Sequence, residues 1–250
     1  MIAGRTGSRA SQPSKPEEKP SLAARALTQV LERSTRVQGP AIDAYVQRLR
    51  GSHPDAAPAD IIAKLEKYYL AAVMASGAAV GTAAAFPGIG TLTAMSAVAG
   101  ETLVFLEATA VFALAVAGVH GIPADHRERR RALVLSVLVG EESQHALKDI
   151  LGRRRVGGAW LTEVAEEVPL PLLSQLNNRL LRYFAKRYAL KRSTLVLGKV
   201  LPAGLGAVIG GVGNRVMGKK IIANARNAFG PPPTRWPVTL HVLPSAIPSD

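Results

Sequence analysis

Along the first 230 residues the apolar positions recur at intervals of three and four, and nowhere convincingly at two. Leu22, Leu27, Val30 and Leu31 share one flank behind Ser21, a suitable N-cap, which predicts a short helix over 21–37 ending near Gly39. Ile42, Tyr45, Val46 and Leu49 repeat the spacing from Pro40 to Arg50, and Gly51 and Pro54 close that second helix. Pro58 suits the first turn of another, with Asp60 near its positive end. From Tyr68 to Gly100, 33 consecutive residues carry no formal charge, and Phe86-Pro87-Gly88-Ile89-Gly90 marks a turn in their middle. The pattern therefore predicts a helical hairpin, about 60–86 and about 91–119, turning at Pro87, Gly88 and Gly90. More polar helices follow at about 125–139, 142–152 and 158–168, then a basic helix at about 171–192. A Gly-rich apolar segment, 194–214, leads into a last helix over 215–229. The expected fold class is all-α. It is a helical bundle around a Gly/Ala-rich apolar hairpin, with N-terminal helices in 21–57, the main domain in 58–230, and disordered tails at 1–20 and 231–250.

Composition narrows what such a bundle can do. Hydrophobic residues make up 48% of the 250, enough for a sizeable core or a membrane-embedded part. Cysteine is absent, which excludes disulfides, thiolate metal sites and a cysteine nucleophile. The early residues contain no uninterrupted apolar run of the kind a secretory signal needs, so the expected starting compartment is the cytoplasm. The formal net charge is +13 and unevenly placed. Residues 68–126 contain no Lys or Arg, whereas residues 168–249 hold 12 and no Asp or Glu.

Several landmarks occur in an order that resembles the EcsC protein family of bacteria. Gly77-Ala78-Ala79-Val80-Gly81 runs into Phe86-Pro87-Gly88-Ile89-Gly90, and a long apolar helix leads to His120-Gly121-Ile122. Glu128-Arg129-Arg130-Arg131 then precedes Val134-Leu135-Ser136-Val137-Leu138-Val139-Gly140. Leu201-Pro202-Ala203-Gly204-Leu205-Gly206-Ala207 follows, with Asn214 and Ala225 beyond it. The resemblance covers roughly residues 58–230. It implies a helical, membrane-associated bacterial protein, and it carries no catalytic residues.

The residues themselves offer a membrane reading. The uncharged run is long enough for a ~30 Å bilayer, basic segments flank it, and Tyr68 and Tyr69 stand where interfacial aromatics are expected. Gly77 and Gly81 form a small notch for close helix approach, and Gly206 and Gly210 form another. Against insertion, 16 of the 33 residues are Gly or Ala, and Glu101 and Glu107 lie in the second arm, so a soluble hairpin with close-packed Ala/Gly faces competes. Basic segments on both sides place both termini in the cytoplasm if the hairpin crosses. The 194–214 segment would export Arg215, Lys219, Lys220 and Arg226 if it crossed once, so it is expected to be re-entrant, surface-lying or protein-buried. In the basic helix, Leu173, Leu176, Leu180 and Phe184 form one stripe and Arg179, Arg182 and Lys186 another, a pattern suited to an anionic lipid surface. Nucleic acid, the competing acidic partner, is disfavoured because no helix-turn-helix, RRM or zinc module is readable.

Catalytic patterns are weak. Gly213-Asn214-Arg215-Val216-Met217-Gly218-Lys219 matches most of a P-loop, but Lys220 stands where a magnesium-binding hydroxyl belongs. Glu142 and His145 have metal-ligand spacing, but the pattern occurs once where a di-metal bundle needs it twice. The expectation is a protein with no catalytic residues, no cofactor and no metal. It would be a membrane-associated accessory or regulatory component of a transporter or envelope complex, at the cell membrane. The alternative is a soluble, cytoplasmic helical enzyme or ligand-binding protein with a pocket near Glu101, Glu107 and His120.

Overall fold

The computed structural model describes residues 22–84, 91–151, 160–161, 168–195 and 205–237, and the described residues contain helices and no strand. Seven helices are delimited among them: α1 (Leu22–Gly51), α2 (Pro58–Ala84), α3 (Thr91–Val119), α4 (Arg127–Val139), α5 (Glu141–Leu151), α6 (Leu170–Leu195) and α7 (Leu205–Phe229). The fold is the all-α bundle that the helical period predicts. The hairpin arms, α2 and α3, begin and end within a few residues of their expected bounds. Residues 1–20, Pro87, Gly88 and Gly90 lie outside the described residues, as does most of the 158–168 helix.

One predicted boundary does not occur. The break at Gly39-Pro40 is absent, and α1 is one helix of 30 residues. Proline in a helix interior removes a backbone hydrogen bond and costs about 3 kcal/mol. Here one core receives both halves, Leu27 and Val30 before the proline and Ile42, Val46 and Leu49 after it. Burial of five apolar side chains, at about 1.5–3 kcal/mol each, outweighs the local penalty. The Gly-rich segment leads into the last helix without a break, as its sequence predicts. Leu205 to Phe229 is continuous.

α3 is the centre of the bundle. From Leu106 onward, Ala110, Phe112, Ala113, Leu114, Ala115, Val116, Ala117 and Val119 are all buried. That is apolar on every side, as expected of a helix enclosed by others. α1 and α2 pack along it, and α4 and α7 touch it. Val46 of α1 approaches Gly118 closely: a Cβ there would stand 3.6 Å from the valine methyl. α4 is similarly enclosed, with six consecutive buried residues from Ala132 to Val137. α6 packs chiefly on α4, with smaller contacts to α5 and α1.

α2 runs antiparallel to both α3 and α7. Tyr69 stacks on Phe112 at 4.7 Å between ring centroids. Nearer the turn, Val73 is joined to Asn214. Along α7, Gly211 faces Met74 and Ala78, Gly218 faces Leu70 and Val73, and Arg226 grips Glu66. These contacts place the C-terminus of α2 and the N-termini of α3 and α7 at the same end of the bundle. The chain after α7 folds back on the other end. Trp236 donates its indole N–H to the Ala56 carbonyl at 3.1 Å, and the Arg50 guanidinium lies 4.8 Å over its ring. Residues 231–237 of the Pro-rich tail are thus docked, and the rest of it lies outside the described residues.

Candidate functional site

Three helices meet in a polar layer. The Asn214 side-chain amide donates to the Val73 carbonyl at 2.8 Å and to a Glu101 carboxylate oxygen at 2.9 Å, tying α7 to α2 and α3 together. Burial raises the Glu101 pKa above the ordinary carboxylate value, and the Asn214 hydrogen bond partly offsets that. Two turns deeper, the Thr109 hydroxyl donates to the Phe105 carbonyl at 2.8 Å, leaving its oxygen to accept from buried Tyr69 at 2.9 Å. Burial raises the Tyr69 pKa well above that of free phenol. Glu101, Asn214, Tyr69 and Thr109 thus each have a partner, without which their burial would cost ~1–3 kcal/mol.

The Glu101–Val73–Asn214 layer divides the sheaf in two. Beyond it, Met74–Ala84 of α2, Thr91–Gly100 of α3 and Leu205–Gly213 of α7 contain no charged residue. Each stretch rises about 15 Å at 1.5 Å per residue. On the other side of the layer, cations begin at once. Arg215, Lys219 and Lys220 are exposed on α7, and Lys67 is exposed on α2. Among the described residues no carboxylate lies in ion-pair range of any of the four. Apolar side chains stand in water between them: Tyr68 is 53% exposed, Val212 54% and Val216 64%. The outward face of α2 continues this with exposed Ala71, Ala72, Ala75 and Ala79. The result is an uncharged end with a basic, partly aromatic collar.

One described helical stretch, Gly100–Val119, is long and apolar enough to cross a membrane, but more than half of it is buried in the bundle. Set against known protein families, curated proteins and solved structures, the chain matches none. The EcsC resemblance therefore rests on its ordered landmarks.

A separate cavity of about 920 Å³ opens at the opposite end of the sheaf. Its apolar lining includes Ile62, Phe112, Trp160 and Phe229, all buried. His120 contributes to the wall, stacked 5.4 Å from Phe229 with its Nδ1 donating to the Val116 carbonyl at 3.0 Å. Burial lowers the His120 pKa, against smaller opposing effects from neighbouring carbonyls. The mouth is polar, with Glu141, His145 and the bidentate Glu66–Arg226 pair. Glu101 and Glu107 do not line it. Glu101 lies about a third of the way along α3 and His120 just past its C-terminus, 19 residues and roughly 28 Å apart. The pocket predicted from those three residues is therefore not one site, because spacing along a single straight helix separates them.

The remaining predicted positions are dispersed. Arg179, Arg182 and Lys186 are exposed on α6, but Arg179 pairs with Asp149 of α5 at 2.5 Å. The leucine stripe of that helix, Leu173, Leu176 and Leu180, is buried in the core. Gly77 is buried within α2, while Gly81, Gly206 and Gly210 lie in helices whose surroundings at those points fall outside the description. The P-loop-like Gly213–Lys220 is uninterrupted helix, so it offers no loop of backbone amides to hold a phosphate. Glu142 and His145 are exposed on α5, and no group of three metal-ligating side chains assembles among the described residues. Sequence reasoning missed the Asn214 clamp as a site. A lone amide following a charge-free glycine run was the available signal.

Proposed function

We propose that this protein is a non-enzymatic, membrane-associated helical protein of the EcsC type. It works at the cytoplasmic face of the cell membrane as an accessory or regulatory component of a transporter or envelope complex. The observation that carries the reading is the charge-free end of α2, α3 and α7 beyond the Glu101–Val73–Asn214 layer, with its collar of exposed cations. Apolar contact and attraction to anionic lipid act together there, and two such signals are what stable attachment without a crossing requires. The ordered EcsC landmarks point the same way. The charge-free helix ends and exposed cations suit lipid better than duplex nucleic acid, since no helix-turn-helix is readable in the sequence.

Flotation of the full chain with vesicles containing anionic lipid tests the reading, followed by washes in high salt and then at alkaline pH. Retention through both is expected. Failure to float, or complete release by salt alone, would refute membrane association of this kind.

The 920 Å³ cavity favours a second reading, a small-ligand carrier or sensor, because a buried aromatic floor under a polar mouth is how ligand pockets are built. Both roles fit one chain, since the cavity and the uncharged end lie at opposite ends of the sheaf.

A further inference from the structure

Resting on the membrane reading above, we infer that the chain enters one leaflet only: the ends of α2, α3 and α7 penetrate to about the bilayer midplane, and Arg215, Lys219 and Lys220 bind the phosphates of anionic lipids at its surface.

Length sets the depth. The charge-free ends extend about 15 Å beyond the Glu101–Val73–Asn214 layer, half of a ~30 Å hydrocarbon core. The helix cannot supply more. Past Leu106, α3 is enclosed by its neighbours, with Ala110, Ala113, Ala115, Ala117 and Val119 wholly buried. Drawing Gly100–Val119 across a bilayer would strip α1 and α4 from it and open the core. The strong hydropathy of that stretch is thus accounted for by the protein interior.

The collar sets the level. Arg215 follows Asn214 directly, and Lys219 and Lys220 lie one turn further, within about 9 Å along the axis. That span matches an interfacial zone, and long cationic side chains reach phosphates from either edge of it. Tyr68, 53% exposed on neighbouring α2, stands at the same height, where aromatic rings favour the headgroup boundary. Asn214 holding the Glu101 carboxylate explains how an acid is tolerated at that boundary. Arg179 of α6 is occupied by Asp149, and α6 packs chiefly on α4, so exposed Arg182 and Lys186 serve as the comparison pair.

The absence of cysteine allows single labels to be placed cleanly. Thr91→Cys, at the start of α3, and Val216→Cys, in the collar, carry an environment-sensitive fluorophore on full-length protein. The vesicles contain equal parts phosphatidylcholine and phosphatidylglycerol, with bromines at defined acyl depths. The Thr91 label should be quenched best by bromines at the chain ends and reached by iodide from neither side. The Val216 label should respond best to the shallowest bromines. Quenching of the Thr91 label by iodide sealed inside the vesicles would overturn single-leaflet entry in favour of crossing. Quenching by external iodide in the bound state would overturn entry altogether. Absence of any vesicle binding would refute the parent reading as well, so the two failures are distinct. In the same assay, Arg215→Gln with Lys219→Gln and Lys220→Gln should weaken binding on the order of a hundredfold, at about 1 kcal/mol per cation. Arg182→Gln with Lys186→Gln should change it less than about threefold. Equal losses from the two sets would overturn the collar assignment.

Discussion

Glu101 shows how one residue is both a cost and a marker. Its carboxyl is half-buried beside apolar helix ends, and the Asn214 amide is its partner. With the pKa raised by burial, the folded state holds the proton more tightly than the unfolded chain does. The contribution of this group to stability is therefore complete below the ordinary glutamate pKa and is lost as pH rises through the raised one. Glu101→Gln keeps an oxygen for Asn214 and removes the charge. The variant should melt higher than the native chain at neutral pH, and the difference should shrink as pH falls towards 4. Thermal melts across that range check it, and a variant that melts lower at pH 7 would show that the carboxylate is better solvated than its burial implies. None of this was legible in the sequence beyond the presence of an acid in an apolar arm. The partner lies 113 positions away, and no local pattern encodes which helix will face which.

At the scale of elements, local periodicity did most of the work and failed where tertiary burial overrode it. The arms of the hairpin were readable because apolar runs of that length, broken by Phe86-Pro87-Gly88-Ile89-Gly90, leave few alternatives. The α1 break was not, because Pro40 is a strong local signal and the shared core on either side of it is invisible to a window of that size. The basic helix was located correctly, but its leucine stripe faces protein. Gly206 and Gly210 in α7 read as a close-packing notch, and the glycines after them carry no such reading. Packing gives them two different characters. A Cβ on Gly218 would stand 2.9 Å from a Leu70 methyl and 3.0 Å from one of Val73, whereas Gly213 has nothing within 4 Å. Gly218→Leu should lower stability by about 1–3 kcal/mol through overpacking. Gly213→Ala should raise it by about 0.5–1 kcal/mol through helix propensity. Denaturant titration of both checks the pair, and equal effects would mean that α7 does not lie on α2 in this register.

For the whole molecule, the arrangement is polarised. Glu66–Arg226, the docked Trp236 and the cavity occupy one end, three uncharged helix ends occupy the other, and the Arg215, Lys219 and Lys220 collar borders the uncharged end. Sequence alone gave the inventory of that polarity, an uncharged run and a basic last third, without its geometry, because the first part of α7 joins α2 and α3 only through contacts more than a hundred residues apart. Backbone hydrogen exchange of the full chain, measured with and without vesicles containing anionic lipid, tests the account most directly. Among the described residues, new protection should be confined to 74–84, 91–100 and 205–213, with α4, α5 and α6 unchanged; protection centred on α6, or extending into Gly100–Val119 with loss of protection in α1, would contradict it.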